Sequence, residues 1–394
     1  MIPFFDFLPF RNPSREEFAE RVLTALEKAG TDKKYLYDPA EFRITNGSRV
    51  VELADMYAMY CATPPLQRKA RLSELAIAIT QAAEELPADF ASAKSRLVPT
   101  LRSPIEAAFL TLRSGAPWKN IVRPLGISLV STIVLDSPNS TSTVAFERLA
   151  DWGVSEDEVW AAAMHNLRNR AAGEFAEAAP GVFRSQWLDR FDAARILLPD
   201  MLRHVTRAAE PLAMIPNRDL LLLTGNKESG ALAAMVKLGL RAYDESPYFL
   251  IPDVLEMEGD NWRVRPLTPE LQAEIDMRKR SQLHQDYAEQ KRLLDEVAHG
   301  GIFNAPFAVL NTRRYGPLTA ATWKASPALL PEAELVALLD PASNVVIAVK
   351  WEDVLAVIGP LVPEPDLLPR RYRVAGFPDA EQLAELRQHI IESY

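Results

Sequence analysis

Thr268-Pro269-Glu270 reads as a helix start, with threonine as cap and proline in the first turn, and no glycine or proline follows until Gly300-Gly301. The spacing predicts one helix of about thirty residues. Charges of both signs run along it from Arg278-Lys279-Arg280 to Asp295-Glu296, so much of its surface is expected to face water. It therefore reads as a connector between domains. A single hydrophobic core stops growing at roughly 250–300 residues, and this chain has 394. The expected fold is α+β: an N-terminal helical and mixed-sheet unit over 1–268 (helical over 1–100, mixed α/β over 101–268), a long connector helix over 269–301, and a small C-terminal α/β domain over 302–394.

Local signals are dense ahead of the connector. Ser14-Arg-Glu-Glu17 is a capping box, and Phe18, Val22, Ala25 and Ala29 follow at helical spacing up to Gly30. Residues 41–45 and 49–53 read as strands joined at Asn46-Gly47, the strongest two-residue hairpin signal. Helices are expected over 54–61, 65–85 and 88–97. Residues 127–135 are rich in β-branched side chains and predict a strand, with another over 142–146 after the turn Pro138-Asn139-Ser140. A second capping box, Ser155-Glu-Asp-Glu158, opens a helix with Trp160, Met164, Leu167 and Ala171 on one stripe. Residues 182–187 read as extended and 190–198 as helical, and Pro199 restarts a helix to Arg207. The four leucines of 220–224 predict a central strand buried on both faces, with Asp219 just before it. A helix over 229–242 and a hairpin across Gly259-Asp260 complete the unit. Beyond the connector, 307–310, 345–351 and 372–377 read as strands, while 331–339, 352–358 and 379–392 read as helices.

Bulk numbers exclude several classes. Composition is that of an ordinary globular protein, 48% hydrophobic and 25% charged. With 53 acidic against 44 basic residues and a pI near 5.3, no global basic excess exists for counterion-release binding, so no nucleic-acid partner is expected. The one cysteine, Cys61, can form neither an internal disulfide nor a multi-thiolate metal site, and a reducing cytoplasm fits. The apolar run over 1–10 lacks a leading positive charge and holds two prolines, so it is expected to pack onto the fold rather than act as a signal. The best apolar stretch, 126–135, falls short of the roughly 18–20 residues of a membrane helix, and no membrane partner is expected.

Motifs for chemistry are incomplete. Gly225-Asn-Lys-Glu-Ser-Gly230 follows a strand and opens a helix, as a phosphate-cradling loop does, but Ala231-Leu232 stands where lysine and serine or threonine are needed. His299-Gly300-Gly301 resembles the backbone-donor segment of some esterases, with no Gly-x-Ser-x-Gly elbow to supply a nucleophile; a helix end explains it better. The five histidines never lie closer than fifteen residues, so no metal and no cofactor is expected. Cys61 sits among Tyr57, Met59 and Tyr60 and reads as buried and inert. More informative are charged residues inside apolar stretches, because a buried charge is costly unless paired or used: Arg102, Asp136, Asp192, Arg195 and Asp219. Asp192 and Arg195, three apart, read as a surface ion pair or helix cap, with a shared pocket as the alternative.

These stretches carry a resemblance. Leu97-Val-Pro-Thr-Leu-Arg-Ser103, Ile133-Val-Leu-Asp136, Phe191-Asp-Ala-Ala-Arg-Ile-Leu197 and Ile215-Pro-Asn-Arg-Asp-Leu-Leu221, in that order and spacing, resemble the YtpQ-like family, domain of unknown function 1444, over residues 15–268. That family has no established activity. By resemblance, Arg102, Asp136, Asn166, Asp192, Arg195 and Asp219 occupy its recurrent polar positions and become binding candidates without an assigned role. One departure stands out: Gly225 occupies a place where the family leads one to expect an acid.

The expectation is a cytoplasmic binding or interaction protein for a protein or small-molecule partner. The rival is a hydrolase or transferase working with carboxylates in a pocket around Arg102, Asp136, Asp192 and Asp219, since such groups can act as acid and base when their environments separate their pKa values. The connector helix offers an oligomer contact if a stripe through Ile275, Leu283, Leu294 and Val297 stands open.

Overall fold

The computed structural model describes residues 12–391 apart from 31–33, 40–41, 47–49, 81–85, 116, 118, 138–139, 174, 226–228, 247, 298–300, 313–315, 325–326 and 340–345. The apolar run over 1–10, most of the Gly225 loop, His299-Gly300 and parts of the expected turns at Asn46-Gly47 and Pro138-Asn139-Ser140 thus lie outside the described residues. The chain is an α+β protein. It divides into two compact units, one of Met1–Leu101 with Lys119–Arg265 and a second of Arg102–Trp118 with Pro266–Tyr394. This differs from boundaries at 268 and 301 because Arg102–Trp118 belongs with the later half and the long helix belongs inside the second unit.

In the first unit both capping boxes form as their sequences predict. Ser14 and Glu17 cap Arg15–Lys28, and Ser155 and Glu158 cap Glu156–Asn169. Phe18, Val22 and Leu26 turn inward to meet Ile44, Leu53, Tyr60 and Ile79, so the helices Arg15–Lys28, Ala54–Ala62 and Arg68–Thr80 share one core with a three-stranded sheet. In that sheet Arg43–Thr45 pairs with Val50–Glu52 as expected and also with Leu36–Asp38, which no sequence signal marked. Cys61 is half-buried in this core.

Only Phe90–Lys94 is helical in the region expected as helix over 88–97, because Leu97–Arg102 is a strand. Pro99 has no N–H for a helix, and Leu97, Val98 and Leu101 are all buried, the pattern of a strand covered on both faces. That strand lies beside Val130–Ser137, which also pairs with Val122–Pro124 and Ser140–Thr143. A six-stranded antiparallel sheet follows in the order Asn261–Val264, Leu255–Glu258, Leu212–Asn217, Leu220–Thr224, Val182–Ser185, Phe175–Ala179. The leucine strand is central and wholly buried. Two cores then join the four stretches that carry the family resemblance: Val98, Val134, Phe191, Ala194 and Leu198 in one, and Leu101, Ala193, Ile196, Ile215 and Leu221 in the other.

The second unit holds two four-stranded sheets and the long helix, Pro269–Val297. This helix packs on Pro104–Ser114 and on the strand Phe307–Thr312, and Ile275, Tyr287, Gln290 and Leu293 are buried. The stripe considered for an oligomer contact is thus already closed at Ile275 and partly closed at Leu283 and Leu294. Arg371 fastens the helix to the sheets: fully enclosed, it donates to Gln290 Oε1 (2.6 Å), to Ala305 O (2.7 Å) and to Leu329 O (2.9 Å), while Gln290 donates to Pro369 O (2.7 Å). Burial lowers the Arg371 pKa to about 10. The helix expected over 331–339 is instead the end of one strand, Ala328–Pro331, and a second, Leu335–Leu339, pairing parallel with Gly316–Lys324. A short unbroken apolar run has no period, and here burial on both faces selects the strand.

Candidate functional site

The central strand Val130–Ser137 delivers Asp136 to its end with the side chain 18% exposed. Its backbone is bracketed by Arg96: the Asp136 N–H donates to Arg96 O (2.8 Å), and Arg96 Nε donates to Asp136 O (3.0 Å). Its carboxylate takes two guanidiniums, Arg170 Nη1 on Oδ2 at 2.6 Å and Arg190 Nη2 on Oδ1 at 2.9 Å. Arg190 Nη2 also donates to Ser137 O at 2.8 Å. Both arginines keep contact with solvent, at 31% and 43% exposure.

Different local causes bring these arginines together. Arg170 is the C-cap of Glu156–Asn169, where a cation complements the helix dipole, and its guanidinium lies over the Phe191 ring at 5.7 Å. Arg190 sits on the loop between Val182–Ser185 and the short 3-10 helix Ala193–Leu197, which replaces the helix expected over 190–198. Leu188 and Arg190 both have left-handed backbones, φ 52° and 73°, on either side of Asp189. Asp189 supports that bend by accepting the Phe191 N–H at 3.0 Å. Leu188 is left 75% exposed at the tip.

Arg195 anchors the loop from beneath. It is fully buried, forks onto Asp189 (Nη1 to Oδ1, 3.0 Å; Nη2 to Oδ2, 2.8 Å), donates to Arg170 O (2.8 Å) and lies 4.0 Å above the Trp187 ring. Burial works against the Asp189 carboxylate, but the Arg195 guanidinium outweighs it and holds the pKa below the ordinary value. Gly173 makes room for the indole, since a Cβ there would stand 2.1 Å from Trp187 Nε1.

The surface ion pair or cap expected of Asp192 and Arg195 does not form. Both are fully buried, Arg195 takes Asp189 instead, and Asp192 makes no side-chain cap hydrogen bond. Neither Asp192 oxygen has a hydrogen-bond partner among the described residues. Burial pushes its pKa up; Ser185 sits close enough to ease this without a hydrogen bond of ordinary geometry, its oxygen accepting the Leu221 N–H at 3.0 Å.

The other candidates take separate places. Asp219 is exposed on the hairpin turn after Leu212–Asn217, its N–H donating to Asn217 Oδ1 (3.0 Å), and the preceding Arg218 O accepts the Ala193 N–H (3.1 Å). Asn166 is a staple, Nδ2 donating to Lys94 O (2.7 Å) and Leu97 O (2.8 Å). Arg102 belongs to the second unit, where its Nε lies 3.6 Å from Glu106 Oε2. At Gly225, where the resemblance led one to expect an acid, a Cβ would meet Thr206 O at 2.4 Å.

Of the six candidates, Asp136 and Arg195 are therefore drawn into one cluster, joined through Arg170, Asp189 and Arg190, which sequence reasoning did not single out. Only Asp189-Arg190, adjoining the Phe191 motif, had a local signal; Arg170 is 34 residues from Asp136. A groove of about 680 Å³ between Arg15–Lys28 and Arg68–Thr80, lined by Arg21, Lys28, Leu72 and Ile77, contains none of these residues. Among the described residues no three His, Cys, Asp or Glu side chains gather as a metal site, and no helix is long and apolar enough to cross a membrane. Comparison with protein-family models, with curated proteins and with solved structures finds no match for this chain.

Proposed function

We propose that this is a cytoplasmic binding protein that recognises a protein or small-molecule partner through the surface formed by Leu188, Arg190 and Arg170 around Asp136. The observation that carries this reading is the state of the polar groups. An acid, base or nucleophile needs an atom open to substrate. Both Asp136 oxygens are occupied by guanidiniums, and the Asp192 oxygens are enclosed. Arg170 and Arg190 by contrast keep N–H groups without a partner among the described residues, beside an exposed leucine on a bent, anchored loop. Such groups recognise; they do not transfer protons, because a guanidinium stays charged. Membership of the YtpQ-like family is part of the same proposal, supported by the two cores that unite the four resembling segments.

The test is co-purification on the full chain, with retained proteins and small molecules read by mass spectrometry, beside Leu188→Ser, Arg190→Gln and Asp192→Asn. A stoichiometric partner held by the unmodified chain and by Asp192→Asn but lost from the two loop variants is the expected result. Equal retention by all four chains would overturn the reading.

A further inference from the structure

We propose that the partner of this surface is a peptide segment presenting a carboxylate next to an apolar side chain, the carboxylate bridging Arg170 and Arg190 and the apolar group covering Leu188. The inference rests on the binding reading above and adds the chemistry of the partner.

Charge comes first. Two guanidiniums share the single Asp136 carboxylate and a third, Arg96, bonds the adjoining Asp136 O and Ser137 Oγ, so among the described residues positive charge exceeds negative around Asp136 in a chain whose net charge is −9. The other ion pair of the cluster, Asp189 with Arg195, balances itself. A further carboxylate would offset that excess. Negative charge elsewhere on the chain disfavours acidic segments away from this position, which turns a local excess into selectivity.

Donor geometry agrees. Arg170 reaches Asp136 through Nη1 alone, and Arg190 uses Nη2 alone for both Asp136 and Ser137. Each planar guanidinium has five N–H groups in a fixed fork, so an edge of each stays available, and neither makes a further hydrogen bond among the described residues. Asp136 meanwhile holds both side chains in place before any ligand arrives. This removes rotamer freedom that a free surface arginine would lose on binding.

The apolar half follows from Leu188. A leucine that is 75% exposed is unremarkable on a loose tip, but this one sits at φ 52° with Arg190 at φ 73° two residues on, and the Asp189–Arg195 pair fixes the bend from a buried guanidinium. Strained backbone held by a buried ion pair keeps one apolar and one cationic side chain on the same short loop. An ion-pair network serving only to hold the loop would have no use for the exposed leucine or the spare N–H edges.

The probe is a random peptide display library selected on the immobilised full chain. Enriched sequences should carry Asp or Glu beside Leu, Ile, Val or Phe, and selection on Arg190→Gln should lose the acid preference. For one enriched peptide, replacing its acid by the matching amide should weaken binding to the unmodified chain by about tenfold, the scale of a charge-assisted contact, and much less to Arg190→Gln. Arg241→Gln, an exposed arginine paired with Glu245 one turn along its own helix, Ser229–Glu245, should behave as unmodified. Library selection without enrichment, enrichment without acids, or an equal amide effect in Arg190→Gln would each overturn the inference. The unmodified-chain comparison of acid and amide needs no variant to fold. A partner that co-purifies through Leu188 and Arg190 while the amide effect is absent would sink the peptide inference and leave the binding reading standing.

Discussion

Asp189 receives Arg195 through both carboxylate oxygens, at 3.0 and 2.8 Å, with the guanidinium wholly enclosed and the acid 29% exposed. The pair is asymmetric: the acid faces the loop and water, the base faces the core. Everything proposed for the loop depends on this footing, because it holds two left-handed residues in place.

Asp189→Ala should therefore lower unfolding free energy by about 3–5 kcal/mol, the usual result of leaving a buried charge without its partner. Urea denaturation of both chains measures it. The Asp189 pKa is depressed, so its contribution is present above the unfolded carboxylate value, near pH 4, and disappears as pH falls through the lower folded value. The gap between the two chains should hold from neutral pH to about pH 4 and close only in stronger acid. A loss below about 1 kcal/mol at neutral pH would show that Arg195 is satisfied by Arg170 O and Trp187 without the acid.

Asp192→Asn should leave stability at neutral pH unchanged or raise it by about 1 kcal/mol, since it removes the need to hold a charge in an enclosed place. The raised pKa means that protonation favours the folded chain. Native protein should thus gain relative to the variant as pH falls from the folded value toward about 4. A loss of several kcal/mol in thermal or urea unfolding would mean that the carboxylate is charged and paired, against the geometry.

In the second unit, burial raises the Asp286 pKa to about 6, only partly opposed by the Gln282 amide donating at 2.8 Å. A raised carboxylate favours folding fully below its unfolded value, near pH 4, and loses that benefit as pH rises through about 6. Asp286→Asn should stabilise the chain by about 1–2 kcal/mol at neutral pH, discounted for partial exposure, and the advantage should vanish near pH 4. Melting temperatures of the two chains across pH 4–8 decide it; parallel curves would refute the assignment.

Features that depend on neighbours in sequence were legible. Ser14 with Glu17 and Ser155 with Glu158 act within one turn, and both boxes could be read directly. The four leucines ahead of Gly225 were legible because nothing polar interrupts them. Leu335–Leu339 was not, since an apolar run of that length suits a buried helix turn as well as a strand until its partners at Gly316–Lys324 are known. The candidate site failed differently. Asp136 and Arg195 drew notice as charges in apolar surroundings, but the arginines that define the cluster lie 34 and 54 residues from Asp136, on a helix end and a left-handed loop. Asp192 and Arg195 have helical spacing without a regular α-helix under them, so their apparent pairing was an artefact of counting.

The second unit draws one helix, Pro104–Ser114, from early in the chain and packs it on Pro269–Val297. During synthesis the first of these leaves the ribosome while its partner has yet to be made, and at about 5–20 residues per second the wait is on the order of ten seconds or more. Throughout that interval the first unit, which runs to Arg265, is itself still being made, and the early helix has no intramolecular seat. A gene fragment starting at residue 266 would encode the later partner without the earlier one, so its product should fold poorly unless Arg102–Trp118 is supplied with it.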